Sequence, residues 1–264
     1  MKGSWALVTG ASAGLGRAIA QALAARGVNL LANARREDRL LELREELSAK
    51  YGVKVEPLVF DIGDPGRGES ALKALGDLVS EVSILVNNAG LGKGSGPMHE
   101  GSIADWDRMI DTNIKGLLYM TRLILPHMVK RNAGHIVNIG SVGGRWTLPN
   151  AAVYCATKFA VRAITDGLRM DLMGTKIRVT NIEPGMVKTE FSLVRAEGDR
   201  VKAEAAYEGY EPLQPEDIAE AVVWCLDRPQ RVNVQELVVF PTDQAGVGQM
   251  YLHRESARHS HRTG

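Results

Sequence analysis

A doubly wound α/β fold, one parallel sheet with helices on both faces in a single domain, is predicted by three features of the sequence. Short β-rich runs, WALVT, NLLANA, KVEPLVF, SILVNN, GHIVNIG, IRVTNI and ELVVF, alternate with segments of helical period, the signature of βαβ units. Within each run the hydrophobicity is near-continuous, as in strands covered on both sides. The chain has 264 residues, 45% of them apolar, with 28 glycines and no repeat or low-complexity linker, which suits one large domain.

The first run leads directly into TGASAGLG, Thr9 to Gly16, and then into a helix whose apolar face is Leu15, Ala18, Ile19, Ala22 and Leu23. Gly10 lets the chain turn sharply, Gly14 allows a pyrophosphate to approach, and Gly16 lets helix and strand pack closely. The helix N-terminus then faces the phosphates. The alternative, a plain strand-to-helix turn, rarely needs three glycines at this spacing.

The second run ends in ARRED. Ala34 stands where a carboxylate would read the ribose of NAD, and Arg35 and Arg36 follow. A guanidinium forks onto a phosphate, and the missing carboxylate removes the repulsion that would exclude one, so NADP(H) is the expected cofactor. Both arginines could instead be solvated residues pairing with Glu37 or Asp38, a reading that suits Arg36 better than Arg35. After the third run, Asp61 could accept from an adenine amine or cap the next helix, as Asp64 could. The fourth run ends in NNAG, Asn87 to Gly90, which would bring Asn88 and backbone groups to the cofactor or be only a loop.

In DWDRMIDTNIKGLLYMTRLIL the helical stripe runs Trp106, Ile110, Asn113, Leu117, Met120 and Ile124. A buried amide without partners costs about 1 to 3 kcal/mol, so Asn113 needs a bonded role. It could hold a water feeding Lys158 or be a core asparagine satisfied by backbone.

Ser141 ends the fifth run at the sheet edge where ligands sit in such folds, and its hydroxyl could hold a carbonyl oxygen. In VYCATKF, Tyr154 and Lys158 are separated by about 400° and roughly 6 Å on a helix, so they share one face. A free tyrosine ionises near pH 10, and a nearby ammonium is expected to lower that value enough for proton exchange at physiological pH. Cys155 points about 100° away and reads as packing.

Beyond the sixth run, Phe191 to Tyr210 is charged and partly helical and precedes a helix starting near Pro215. An insertion of this kind at the carboxyl edge reads as a lid, at about residues 190–212. Residues 1–252 are thus expected to form the catalytic domain, and 253–264 a polar flexible tail. His253, His259 and His261 there read as tail residues, and no metal site is expected.

Thirty-two basic and thirty-one acidic side chains give a net charge of +1, which favours neither nucleic acid nor an anionic membrane. No apolar run has the length of a membrane span. The start MKGSWALVTG is too short in its apolar part for a secretory signal, and with two distant cysteines it fits a reducing cytoplasm. The expected partner is a small molecule.

TGASAGLG, NNAG, Asn113, Ser141, YCATK and PGMVKTE, in this order over nearly the whole chain, resemble the short-chain dehydrogenase/reductases. The resemblance implies a Rossmann-type sheet with Tyr154 as general acid/base. Lys158 would bind the nicotinamide ribose and lower the tyrosine pKa, Ser141 would orient the substrate oxygen, and Asn113 would support a proton relay. Pro184, Gly185, the Val187 backbone and the Thr189 hydroxyl would position the carboxamide. The expected NADP(H) contacts are completed by Gly10, Ser12, Gly14, Leu15, Gly16, Arg35, Arg36, Asp61, Ile62, Asn88, Ala89 and Gly90. A homotetramer is also implied, with the helices carrying Asn113 and Tyr154 against a neighbour. Ala156, Ala160 and Gly167 are small enough for that packing, although they could equally face their own sheet.

GLGKG, DWDRMIDTNIKGLLYMTR, IEPGMVKTEFSLVR and VVFPTDQA are similar to the NADP-dependent 3-hydroxy acid dehydrogenase group. That group oxidises serine, allo-threonine and related 3-hydroxy acids and reduces malonic semialdehyde. The substrate carboxylate needs a cation, and Arg145 and Arg195 are the candidates. Only Arg195 lies in a stretch that resembles the group, and Arg145 reads more readily as a surface residue. The alternatives are a reductase of bulkier ketones or 3-oxoacyl substrates, and a nicotinamide-binding regulatory module. The former usually has a glycine-rich ending and a basic docking patch; an intact Ser141, Tyr154 and Lys158 argue against the latter.

Overall fold

Every β-rich run becomes a strand of one sheet in the computed structural model, which describes residues 1–94 and 96–253. The strands are β1 (Trp5–Thr9), β2 (Asn29–Ala34), β3 (Val55–Val59), β4 (Val82–Asn87), β5 (Gly134–Ile139), β6 (Ile177–Pro184) and β7 (Glu236–Val239). They are all parallel, in the order β3-β2-β1-β4-β5-β6-β7. The chain steps outward from β1 to β3 and then returns to lay β4 on the other side of β1. The crevice where that order reverses opens at the carboxyl ends of β1 and β4, the place where ligands bind in such sheets.

The helices are α1 (Gly14–Ala24), α2 (Glu37–Tyr51), α3 (Pro65–Ala74), α4 (Ile103–Ile110), α5 (Leu117–Arg131), α6 (Ala152–Asp171), α7 (Glu190–Arg195), α8 (Arg200–Ala205) and α9 (Pro215–Leu226). Successive strand residues point to opposite faces, and both faces are covered. Val8, Leu30 and Val86 pack under α1, α2 and α9, through Ile19, Leu43 and Val222. Leu7, Leu31 and Leu85 pack under α3 and α5, through Leu72, Met120 and Ile124. That double burial is why the runs read as continuous rather than alternating.

One expectation is corrected. Between α4 and α5 the chain winds as a π-helix over Asp111–Gly116. The wider turn shifts the phase of the apolar stripe, so Met109 is buried and Ile110, expected in the stripe, is 36% exposed. Asn113 lies on the π segment and is buried. The segment expected as a lid carries α7 and α8. His253 sits with Nε2 3.1 Å from Asp243 Oδ2, whereas His259 and His261 lie outside the described residues.

Candidate active site

The glycine turn after β1 is shaped by backbone demands that side chains could not meet. Gly10 and Gly14 have φ of 69° and 50°. A Cβ on Gly16 would lie 2.2 Å from the Gly10 carbonyl oxygen, which is how α1 comes down directly on the turn with its N-terminus at the crevice. The NNAG segment is laced to the same turn: Asn88 Nδ2 donates to the Thr9 carbonyl at 2.8 Å, and the N–H groups of Asn88 and Ala89 donate to Thr9 Oγ1 at 3.0 Å. Asn88 is therefore a brace across the switch point.

At the end of β2 the two arginines exchange the emphasis given to them by sequence. Arg36 reaches back to the glycine turn, where Nε and Nη2 donate to Ser12 Oγ at 3.3 and 3.2 Å, and it pairs with Glu190 at 3.1 Å. Arg35 instead faces Asp61 at 3.5 Å. Asp61 also accepts from the Gly63 N–H at 3.0 Å, while Asp64, not Asp61, caps α3 through the Arg67 N–H. Ile62 is buried beside Gly116 of the π segment, where a Cβ would come within 2.6 Å of it.

Ser141, Tyr154, Lys158 and Asn113 converge at the carboxyl ends of β4 and β5. Ser141 Oγ accepts from the Gly143 N–H at 3.0 Å, which leaves its proton to donate outward. A Cβ on Gly143 would lie 3.3 Å from both Ser141 Oγ and Tyr154 Cε1, so the glycine keeps the two hydroxyl-bearing residues adjacent. Lys158 Nζ donates to the Ile139 carbonyl at 2.9 Å and lies 6.0 Å from the centre of the Tyr154 ring. Asn113 uses its whole amide: Oδ1 accepts from the Leu91 N–H at 2.8 Å, and Nδ2 donates to the Leu91 carbonyl at 2.8 Å and to Thr157 Oγ1 at 2.9 Å. The amide is thus satisfied largely by backbone, the second of the two readings, and the side chain ties the loop after β4 to α6. Gly90 lies between Asn113 Oδ1 and Lys158 Nζ, 3.2 and 3.5 Å from its Cβ position. Cys155 is buried packing, as read from sequence.

The expected lowering of the Tyr154 pKa by Lys158 is also corrected. Burial pushes the phenol upward, and the groups opposing it are a hydrogen bond to Ser141 and the charge of Arg195. Burial pulls the Lys158 ammonium down to about 8. Below that value folded and unfolded chains both hold the proton, but only the folded one has buried the charge. Between about 8 and the ordinary value near 10.5 the folded chain has lost it and the unfolded chain has not, so stability rises with pH across that window. Lys158→Met should therefore raise the thermal midpoint near pH 7 by at least ~2 °C and flatten its rise toward alkaline pH, while turnover disappears. Calorimetry near neutral and alkaline pH checks this, and an unchanged or lower neutral midpoint contradicts it.

Residues of α7 and of the segment after α8 flank the other side of Tyr154. The Phe191 ring sits 5.6 Å from that of Tyr154. Tyr207, unnoticed in the sequence, gathers the turn after β6: its hydroxyl donates to the Val187 carbonyl at 3.0 Å, accepts from the Thr189 N–H at 3.3 Å and meets Ser192 Oγ. Thr189 Oγ1 accepts from the Phe191 N–H, capping α7. Gln244, also unnoticed, accepts from the Met186 N–H at 2.9 Å, and its Oε1 would be 2.5 Å from a Cβ on Gly185, which follows Pro184. No periodicity marks Tyr207 or Gln244, because each acts across a long sequence gap. A cavity of about 280 Å³ adjoins Tyr154 and is lined by Lys93, Trp106, Met109, Asn150 and Glu197 among others.

Arg195, in the last turn of α7, puts its charge on Tyr154. Arg145 does not have the surface position expected of it. Its guanidinium is bound by Glu183 and Glu236, which leaves it no fork for a substrate carboxylate.

A family model described as short chain dehydrogenase matches residues 4–199. NADP-dependent 3-hydroxy acid dehydrogenase YdfG of Escherichia coli (strain K12) is 46% identical over 250 residues, covering 94% of this chain and 99% of that protein. Sulfoacetaldehyde reductase 2 of Chromohalobacter salexigens is 46% identical over 240 residues, covering 90% of this chain and 94% of that protein. The closed form of a serine dehydrogenase complexed with NADP+ superposes with a TM-score of 0.87 at 46% identity, covering 95% of this chain and 100% of the other.

Proposed function

Because the chain belongs to the short-chain dehydrogenase family, we propose that it moves a hydride between NADP(H) and a 3-hydroxy acid of the serine, allo-threonine or 3-hydroxypropionate kind. What supports the substrate class is the 46% identity, over nearly the whole chain, to an NADP-dependent 3-hydroxy acid dehydrogenase and to a serine dehydrogenase; Arg195, in the last turn of α7, is the candidate cation for the substrate carboxylate.

The residues present fit the cofactor. The Gly10, Ser12, Gly14, Leu15 and Gly16 backbone cradles a pyrophosphate at the start of α1, and Ala34 leaves the β2 end without a carboxylate. Arg36, already on Ser12, would take the 2'-phosphate with Arg35 as its neighbour, and a phosphate dianion would compete with the exposed Glu190 carboxylate for Arg36. Asp61 and Ile62 would line the adenine, Asn88, Ala89 and Gly90 would border the ribose, and Pro184, Gly185, Val187 and Thr189 would hold the carboxamide. The bound nicotinamide supplies the hydride acceptor or donor.

Ser141 donates its free proton to the substrate oxygen, and Tyr154 exchanges the proton of that oxygen. Lys158 anchors the ribose and Asn113 keeps the loop after β4 on α6. With its pKa pushed up by burial, Tyr154 rests protonated, which suits carbonyl reduction; the oxidation needs its conjugate base and accelerates toward alkaline pH.

Residues 1–252 act as one catalytic domain with a lid at about 190–212. The exposed Ile103, Ile110, Leu118 and Phe159 on α4, α5 and α6, together with Gly167, whose Cβ position meets no atom within 4 Å, support a homotetramer packed through these helices. Two free, buried cysteines support a reducing cytoplasm. A panel of serine, allo-threonine, 3-hydroxypropionate, simple secondary alcohols, sulfoacetaldehyde and a 3-oxoacyl thioester, followed by nicotinamide absorbance with both cofactors, tests the reading. The 3-hydroxy acids should lead, with NADP; equal rates on alcohols without a carboxylate remove the substrate class, and activity confined to sulfoacetaldehyde moves it to sulfonates.

A further inference from the structure

Four charged side chains form one ionic network behind the catalytic groups. Arg145 closes the short 3-10 turn Val142–Gly144 that starts at Ser141. Its Nε donates to Glu183 and its Nη2 to Glu236. Glu236, at the start of β7, accepts on its other oxygen from Arg162 Nε at 2.9 Å. Arg162 lies one turn beyond Lys158 on α6. Glu183, whose side chain is 1% exposed, accepts on its second oxygen from Asn181 Nδ2 at 2.6 Å and directly precedes the Pro184–Gly185 turn.

The network thus joins the Ser141 turn, the helix of Tyr154 and Lys158, and the strand leading to the carboxamide turn. There is little slack between them. A Cβ on Gly144 would come within 2.7 Å of the Lys158 carbonyl oxygen, so the turn is seated directly on α6 and a shift in one displaces the other. A buried ion pair adds little net stability, because desolvation offsets its attraction, so apolar residues would hold these elements together as well. What a planar guanidinium held by two carboxylates adds is direction.

We infer that Arg145 and Glu183 are positioning residues, which set the Ser141 hydroxyl against Tyr154 by fixing the turn after β5 to β6 and β7. The inference rests on the dehydrogenase reading. It differs from a substrate role for Arg145 because the guanidinium acts only through Ser141. Without Arg145, Glu183 is left as a buried carboxylate that burial drives toward neutrality, and the turn loses its anchor.

The test compares Arg145→Ala, Arg145→Lys and Glu183→Gln with the wild type, on whichever carbonyl compound the wild type reduces best. Rates are counted per NADPH-binding site, titrated by fluorescence. Arg145→Ala should lower kcat about 100-fold while KM for the carbonyl compound and Kd for NADPH stay within about threefold, since a small misplacement costs that much in rate. Arg145→Lys, which keeps the charge but loses the fork, should recover part of the loss. Glu183→Gln keeps the shape and should lower kcat about tenfold with NADPH binding intact, so it carries the test if Arg145→Ala fails to fold. A kcat within about twofold of wild type in the variants that bind NADPH overturns the inference, as does a raised KM at unchanged kcat, which makes Arg145 a substrate cation. A wild type without turnover on any carbonyl compound sinks the dehydrogenase reading and this inference with it; normal wild-type turnover with undiminished variants sinks the inference alone.

Discussion

Tyr154→Phe is expected to lower turnover about 1,000-fold or more, because general acid/base groups contribute ~10²–10⁴-fold, while NADPH binding stays close to wild type. The substitution removes one oxygen and leaves the ring, which keeps its packing against Phe191 and its place beside Gly92 and Gly143. No neighbour can replace the lost group. Ser141 Oγ is held by the Gly143 N–H and its one proton is already given to the substrate oxygen, and Lys158 donates to the Ile139 carbonyl. Steady-state rates together with fluorescence titration of NADPH decide the matter. A variant that binds the cofactor and turns over normally removes Tyr154 from the reaction.

Arg36→Ala should weaken NADP by roughly 10- to 100-fold, the worth of one to two charge-assisted hydrogen bonds, while NAD changes by no more than about threefold. The guanidinium of Arg36 is bonded to Ser12 on the phosphate-facing turn, so its removal strips the 2'-phosphate site and leaves the glycine cradle untouched. Arg35→Ala should have the smaller effect, because Arg35 is drawn to Asp61 and makes no bond to the glycine turn. KM measured with both cofactors separates the outcomes. Equal losses for NADP and NAD contradict the assignment, and a larger loss at Arg35 reverses the order of the two arginines.

How the site was legible depends on the range over which each residue acts. Gly10, Gly14 and Gly16 work within one turn, and Tyr154 and Lys158 within one turn of α6, so their spacing in the chain already carries their geometry. Arg35 and Arg36 are neighbours with the same chemistry, and which one faces the turn depends on how the chain leaves β2, where Arg36 is extended at φ −91°. The stripe through Ile110 failed because it assumed 3.6 residues per turn across a segment that winds wider. The stripe marks Asn113 as a buried amide needing partners, but those partners, Leu91 and Thr157, come from separate elements.

The sequence by itself determined the parallel α/β sheet, its helices, the glycine turn and the candidate Ser141, Tyr154 and Lys158, because local periodicity, turn chemistry and spacing along one helix are written in adjacent residues. Tertiary structure alone decided which arginine meets Ser12, that Arg145 is bound by Glu183 and Glu236, that Tyr207 gathers the turn after β6, and which way burial moves Tyr154 and Lys158. Pairing and desolvation depend on what lies within a few ångströms in space, and residues as far apart as Arg145 and Glu236 meet only once the strands between them have docked.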